Sequence, residues 1–214
     1  VGVYDNPPKI FLDDDRQPGG ILGELLREVA RQEGWTLQAV PCEWQECLAK
    51  VQAGTIDLMP DVAITPEREE QFAFHREAAL SSWLQIFARR GSGIRTLVDL
   101  EQTRIAVLDR SIQHRALQRL ADSFDLTVTF HGFPDYGSAF AALLDGSIDA
   151  VIAHRFYRIG HLRDAPVEDT GIIFHPTRLF FAAPLSGNRA VLDTLDRHLA
   201  DMKQDHTSVY YQSF

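Results

Sequence analysis

Arg68 stands where a cation is least expected. In the run DLMPDVAITPERE, residues 57–69, an apolar strand-like stretch stops at Pro60 and a short helix starts at Thr65 and Pro66. Threonine suits the cap of a helix and proline its first position. Arg68 then falls in the first turn, at the positive end of the helix dipole, where a cation is disfavoured. A guanidinium offers a planar fork that grips a carboxylate at two points. Clefts in open α/β sheets form at the C-terminal side of the strands. Arg68 is therefore a candidate anion-binding residue. Glu67, Glu69 and Glu70 surround it, and plain charge balance is the competing account.

Other chemistry finds little purchase. The sequence holds no G-x-S-x-G, no H-E-x-x-H, no P-loop and no G-x-G-x-x-G. His154 and His161 could share a helix face but have no cysteine or carboxylate at metal-ligand spacing, so no metal and no cofactor is expected. Cys42 and Cys47 lack a zinc pattern. On one continuous helix they would point to different faces, which favours two free thiols; a bridge stays open if Cys42 lies in the loop before the helix and folds back. The net charge of −9 argues against a nucleic-acid partner. No apolar run reaches the ~20 residues that a membrane helix needs. Val1 is not an initiator residue, so an excised or processed piece is expected.

These residues must be positioned by regular elements. Ile21, Leu22, Leu25, Leu26, Val29 and Ala30 recur at helix spacing, and Gly34 ends that helix. WTLQAV (35–40) alternates like a strand, WQECLAKVQAG (44–54) reads as a helix, TIDLM (55–59) as a short buried strand and WLQIFAR (83–89) as another. After the glycine-rich RGSGIRTL (90–97) the alternation restarts. RIAVL, LTVTF and IDAVIA are strands, and SIQHRALQRLADSF and DYGSAFAALLDG are helices. HRFYRIGHL (154–162) is a short helix, GIIFHP and LFFAAP are two strands, and NRAVLDTLDRHLADMKQ is the last helix. The alternation predicts an α/β fold with mostly parallel sheets. LAKVQAGTIDLM (48–59) echoes FAALLDGSIDAV (140–151), as two lobes with one similar unit each would require.

In order along the chain, GGILGELLREVARQEGW, the run from Trp44 and CLAKVQAGTIDLMPDVAITPEREEQFAF, LVDLEQTRIAVLDRS and AALLDGSIDAVIA resemble the type II periplasmic solute-binding proteins of the amino-acid-binding class (bacterial extracellular solute-binding family 3). The likeness covers nearly the whole chain. NPPKIFLDD, DLMPDVAITPERE and MKQDHTSVYYQSF look most like the extracytoplasmic sensor domains of bacterial histidine kinases. The resemblance implies a two-lobe clamshell, each lobe a mixed sheet flanked by helices. Residues 1–90 plus 181–214 would form one lobe and 91–180 the other, with two hinge crossings near 88–94 and 175–182. It implies that Arg68 holds a ligand carboxylate and that Asp61, Val62, Ala63 and Ile64 line the same wall. Tyr4 and Asn6 lie where the family often stacks on its ligand. Arg110 and Ser111 would supply donors after the RIAVL strand, and Trp44 is a further candidate platform.

Departures from the family pattern matter as much. Where amino-acid receptors usually carry an acid after the second-lobe strand, this chain has His154 followed by Arg155. Asp61 could take over an ammonium contact or only cap a turn. Arg155 and Arg158 could be a solvated face or mark a more anionic ligand, such as a dicarboxylate. The resemblance thus implies a sensing domain with no catalytic role. It would bind a small anionic or amino-acid-like solute in the interlobe cleft and signal by lobe closure. The parent kinase would be tethered to the inner membrane and could be a homodimer. A free receptor serving an ABC transporter is the alternative, and a cyclohexadienyl-dehydratase-like enzyme the more distant one.

Overall fold

The computed structural model describes residues 1–108, 112–157 and 165–212, with Ile112 described by its backbone alone. The chain forms two compact units, Val1–Ser81 with Thr177–Phe214, and Ser82–Pro176. The chain passes from one unit to the other inside two strands, β7 (Leu80–Arg89) and β11 (Val167–Pro184).

In the first unit β1 (Gly2–Val3) pairs in parallel with β4 (Val40–Pro41), and β2 (Phe11–Leu12) pairs antiparallel with β3 (Pro18–Gly19). Helix α1 (Gly20–Glu33) buries the predicted stripe of Ile21, Leu22, Leu25, Leu26, Val29 and Ala30, and Gly34 caps it at φ 68° with its N–H on the Ala30 carbonyl. Helix α2 (Trp44–Gln52) opens on a capping box between Glu43 and Glu46 and buries Cys47 and Val51. Strand β5 (Met59–Ala63), the short helix α3 (Pro66–Glu69) and β6 (Phe72–Phe74) follow. The C-terminal part of β11 takes β5 and β6 as antiparallel partners. The helix Arg189–Gln204 buries Leu192, Leu195, Leu199 and Met202.

The second unit is built on β10 (Ala150–His154), antiparallel to β7 and parallel to β8 (Arg104–Leu108). β9 (Thr129–Phe133) extends the sheet beyond β8. α4 (Ile112–Asp122) and α5 (Tyr136–Asp145) serve this sheet. One apolar cluster gathers Ile86, Ile105, Leu117 and Ile152, and another gathers Phe87, Phe140, Leu143 and Val151. Alternate residues of β7 and β10 thus enter different clusters, as the period of a strand requires.

Several sequence expectations are corrected. The sheets are mixed rather than mostly parallel. Cys42 and Cys47 are bridged, with Cα atoms 5.4 Å apart, because Cys42 lies before α2 rather than on it. The strand after Gly54 begins at Met59 and runs through Pro60 instead of stopping there. β5 lies at a sheet edge, and its pairing with β11 shifts register between Phe180 and Ala182. Edges and bulges are where a strand tolerates proline. Of WTLQAV only Val40 joins a strand, and the strand expected over 126–130 starts at Thr129. GIIFHP and LFFAAP belong to one strand, with His175 of the first run at φ 52°. The helix expected over 154–162 lies largely outside the described residues.

Candidate functional site

The bulge in β5 decides what Asp61 does. Asp61 adopts φ 65°, in the left-handed region that L-residues seldom enter, and is only 4% exposed. Its Oδ2 accepts from Lys9 Nζ at 2.6 Å, from Asn6 Nδ2 at 2.8 Å and from the Tyr4 hydroxyl. Asn6 also donates to the Tyr4 oxygen at 2.9 Å. The turn DNPPK aims Lys9 inward: the Lys9 N–H donates to the Asn6 carbonyl, and the Asn6 N–H to that of Ile10. Lys9 is 9% exposed. A buried carboxylate needs such a counter-charge and such donors. Burial first, then Asp61, push the Tyr4 phenol far above its ordinary pKa, so Tyr4 stays a donor. Asp61 Oδ1 is buried and has no hydrogen-bond partner among the described residues.

Arg68 stands on the same wall. Thr65 caps α3 by accepting from the Arg68 N–H, so the start inferred from Thr65 and Pro66 is where the helix begins. The guanidinium folds back toward β5, where Nη1 donates to the Ala63 carbonyl at 2.9 Å. It also sits 5.6 Å from the centre of the Trp44 ring, and Trp44 meets the Tyr4 ring edge-on at 4.9 Å. Contacts thus run from Arg68 through Trp44 and Tyr4 to Asp61 and Lys9. Arg68 is half-buried. It forms no ion pair among the described residues, with Glu67, Glu69 and Glu70 included. Of the rest of the wall, Val62 is fully buried in the core of the unit, and Ala63 and Ile64 are half-buried.

In the second unit His154 ends β10 opposite Leu84. Its ring meets Tyr136 and Tyr157 edge-on, each at 6.0 Å. The Arg155 N–H donates to the Trp83 carbonyl at 3.2 Å. Its guanidinium lies 4.0 Å from the Trp83 ring centre and 4.5 Å from that of Phe156. Arg155 is therefore stacked on aromatic faces rather than being part of a plain solvated face. Arg110 and Ser111 lie outside the described residues, as does Arg158.

Tyr4, Asn6, Trp44, Asp61, Ala63 and Arg68 thus come together in the first unit, and His154 and Arg155 neighbour each other in the second. Lys9 escaped sequence reasoning. Its signal was faint: a lone lysine after two prolines, opening the apolar run IFL, where an exposed position is the ordinary expectation. Among the described residues no group of histidine, cysteine, aspartate or glutamate side chains could hold a metal ion. Chemically, the first-unit wall offers one guanidinium with donors to spare beside a neutralised buried carboxylate.

Residues 1–212 match the bacterial extracellular solute-binding proteins, family 3. The chain belongs to this family. No curated protein matches it. Among solved structures, this solute-binding domain is similar to the second substrate-binding domain of a proposed amino acid ABC transporter from Streptococcus pneumoniae Canada MDR_19A. The identity is 20%, with 99% of this chain and 95% of that one covered and a TM-score of 0.85. It is similar to an ancestral arginine-binding protein bound to arginine, at 24% identity, 100% and 98% coverage and a TM-score of 0.71. A histidine kinase sensor domain with similarity to periplasmic binding proteins matches at 24% identity, 99% and 91% coverage and a TM-score of 0.70. At such identities the likeness is one of fold: the type II periplasmic-binding-protein fold.

Proposed function

We propose that this solute-binding domain is the extracytoplasmic ligand-sensing domain of a membrane-tethered histidine kinase, and that it binds a small carboxylate-bearing solute through Arg68. The observation that carries the reading is the state of Arg68: half-buried, oriented by the Ala63 carbonyl and the Trp44 face, with no carboxylate partner among the described residues. A guanidinium held this way is pre-organised for an anion. Ala63 and Ile64 would form the wall beside the solute, with Tyr4 and Trp44 as its aromatic border, while Val62 is sealed in the core behind them. His154 and Arg155, with Arg110 and Ser111, are the proposed contribution of the second unit. The two units would close on the solute about the two crossings, inside β7 and β11, and a solute drives that change only through its higher affinity for the closed state.

The Cys42–Cys47 bridge supports an oxidising, extracytoplasmic setting. The kinase sensor neighbour supports the signalling role, and the transporter domain supports the second reading, a free receptor. No helix among the described residues is long and apolar enough to cross a membrane; in this reading the tether would lie in a flanking segment of the parent. An apolar stretch of about 20 residues beside this domain in the parent gene would favour the kinase. A thermal-shift panel of amino acids, monocarboxylates and dicarboxylates tests binding. A ligand at a hundred times its dissociation constant adds about 2.7 kcal/mol of stability. Arg68→Ala should abolish that shift, and a shift that survives the substitution undiminished overturns the assignment. Turnover of prephenate or arogenate would replace the sensor reading with an enzyme.

A further inference from the structure

The Arg68 wall carries a second instruction about its solute, and it rests on the binding reading above. Asp61 is the acid of that wall, yet neither of its oxygens is open to a newcomer. Oδ2 already accepts three donors, among them the Lys9 ammonium at 2.6 Å. A carboxylate oxygen has two lone pairs, so this one is saturated. Oδ1 lacks a partner among the described residues, but it is sealed from solvent. The side chain of Asp61 is 1% exposed and that of Lys9 11%. Lys9 cancels the charge of Asp61, and Arg68 is left without an ion-pair partner among the described residues. A solute ammonium brought to this wall would meet two cations and, among the described residues, no open oxygen of Asp61.

We propose that Lys9 fills, from within the chain, the place on Asp61 that an amino-acid solute would give to its ammonium group, and that the solute is a carboxylic acid without an α-amino group. Lys9 is then a specificity-determining residue. It admits the carboxylate that Arg68 receives and rejects the α-amino acid of the same shape. Asn6 and Tyr4 hold Asp61 in place for Lys9 by donating to the same oxygen.

Matched pairs test this directly. Isothermal titration of the full chain near pH 7 would compare succinate with L-aspartate, glutarate with L-glutamate, 4-methylpentanoate with L-leucine and 5-guanidinopentanoate with L-arginine. Within the pair that binds, the acid lacking the amino group should bind about tenfold more tightly or better, the size of one poor charge contact in a partly buried site. Lys9→Met frees Asp61 and should cut that preference by about tenfold. Because this variant strands a buried carboxylate, Lys9→Met/Asp61→Asn is measured beside it; it removes both charges and should also show a smaller preference than the wild type. Wild-type protein that binds the amino acid as tightly as its partner, or more tightly, overturns the inference and leaves Arg68 as the anion site. An undiminished preference in the folded variants removes Lys9 as its cause. If no probe binds in an Arg68-dependent way, the binding reading falls, and this inference with it.

Discussion

Residues 48–59 and 140–151 begin alike and end differently. Each leaves a helix through a left-handed glycine, Gly54 at φ 73° and Gly146 at φ 89°. In each an isoleucine then turns back to the helix. The Ile56 N–H donates to the Lys50 carbonyl, and the Ile148 N–H to that of Ala142, six residues earlier in both cases. Both isoleucines are 2% exposed. Beyond that point the two diverge. β10 runs straight, pairing Ala150 through His154 with β7 without a break. β5 is interrupted by Pro60 and by Asp61 in a left-handed conformation, and its pairing slips against β11. The straight strand carries apolar side chains into two clusters, whereas the bulged strand carries a carboxylate inward. The shared grammar builds the scaffold; the local irregularity builds the wall where Lys9 meets Asp61 and Arg68 bonds to the Ala63 carbonyl.

The contrast puts charge-sensitive stability on the bulged side. The largest effect should come from Lys9→Met, which leaves Asp61 buried without a counter-ion. Urea unfolding should show a loss of about 3–5 kcal/mol, with much of it recovered in Lys9→Met/Asp61→Asn.

His75 should come next. It follows β6 in the first unit, its side chain is fully buried, and the Phe181 N–H donates to its Nε2 at 2.8 Å. That bond requires the neutral ring. Burial lowers its pKa to about 4, against the opposing pull of Asp196. A depressed pKa gives stability that is complete above the unfolded value of 6.5 and is lost as the pH falls toward about 4. The loss amounts to up to about 3 kcal/mol. A pH series of melting curves checks this, and His75→Gln should flatten the dependence over that window.

The two glycines sharpen the part of the comparison in which the segments agree. Gly54→Ala places its methyl in open space and should cost about 1 kcal/mol through the left-handed backbone alone. At Gly146 the new Cβ would lie 2.7 Å from Arg89 Nη1, which donates to the Leu143 carbonyl. Gly146→Ala should therefore cost about 0.5–1 kcal/mol more. Equal costs would mean that Arg89 moves aside freely.

The aspartates after the isoleucines should give the smallest effect. Asp149 takes a two-point grip from Arg104, at 3.0 and 2.8 Å, which holds its carboxyl below the usual range. The pair is partly exposed, so Asp149→Asn should cost at most about 1 kcal/mol. That contribution is present above the unfolded pKa near 3.8 and fades as the pH falls below it. Asp57 is exposed, and Asp57→Asn should stay within about 0.5 kcal/mol of wild type.

Much of the scaffold was legible because its signals are local. The apolar stripe of α1, the glycines at helix ends and the Thr65–Pro66 start each depend on residues within a turn of one another. What the sequence hid was interrupted or distant. Pro60 read as a stop because an edge bulge that tolerates proline cannot be seen without the partner strand. WTLQAV alternates, but only its end finds a neighbour to pair with. Cys42 and Cys47 were compatible with either free thiols or a bridge, because their geometry depends on where α2 begins. Arg155 read more readily as a solvated charge, since its contact with Trp83 spans most of the second unit.

The sequence by itself determined most of the helices and strands and the family, and it singled out Arg68 as a candidate anion-binding residue. These follow from spacing, caps and motifs carried by near neighbours. Only the tertiary structure decided what surrounds that arginine. Lys9 and Asp61 are 52 residues apart, and neither has a local reason to be buried. They go inside together because the bulge in β5 and the turn before Ile10 bring opposite charges to one desolvated point, where either alone would be too costly to keep.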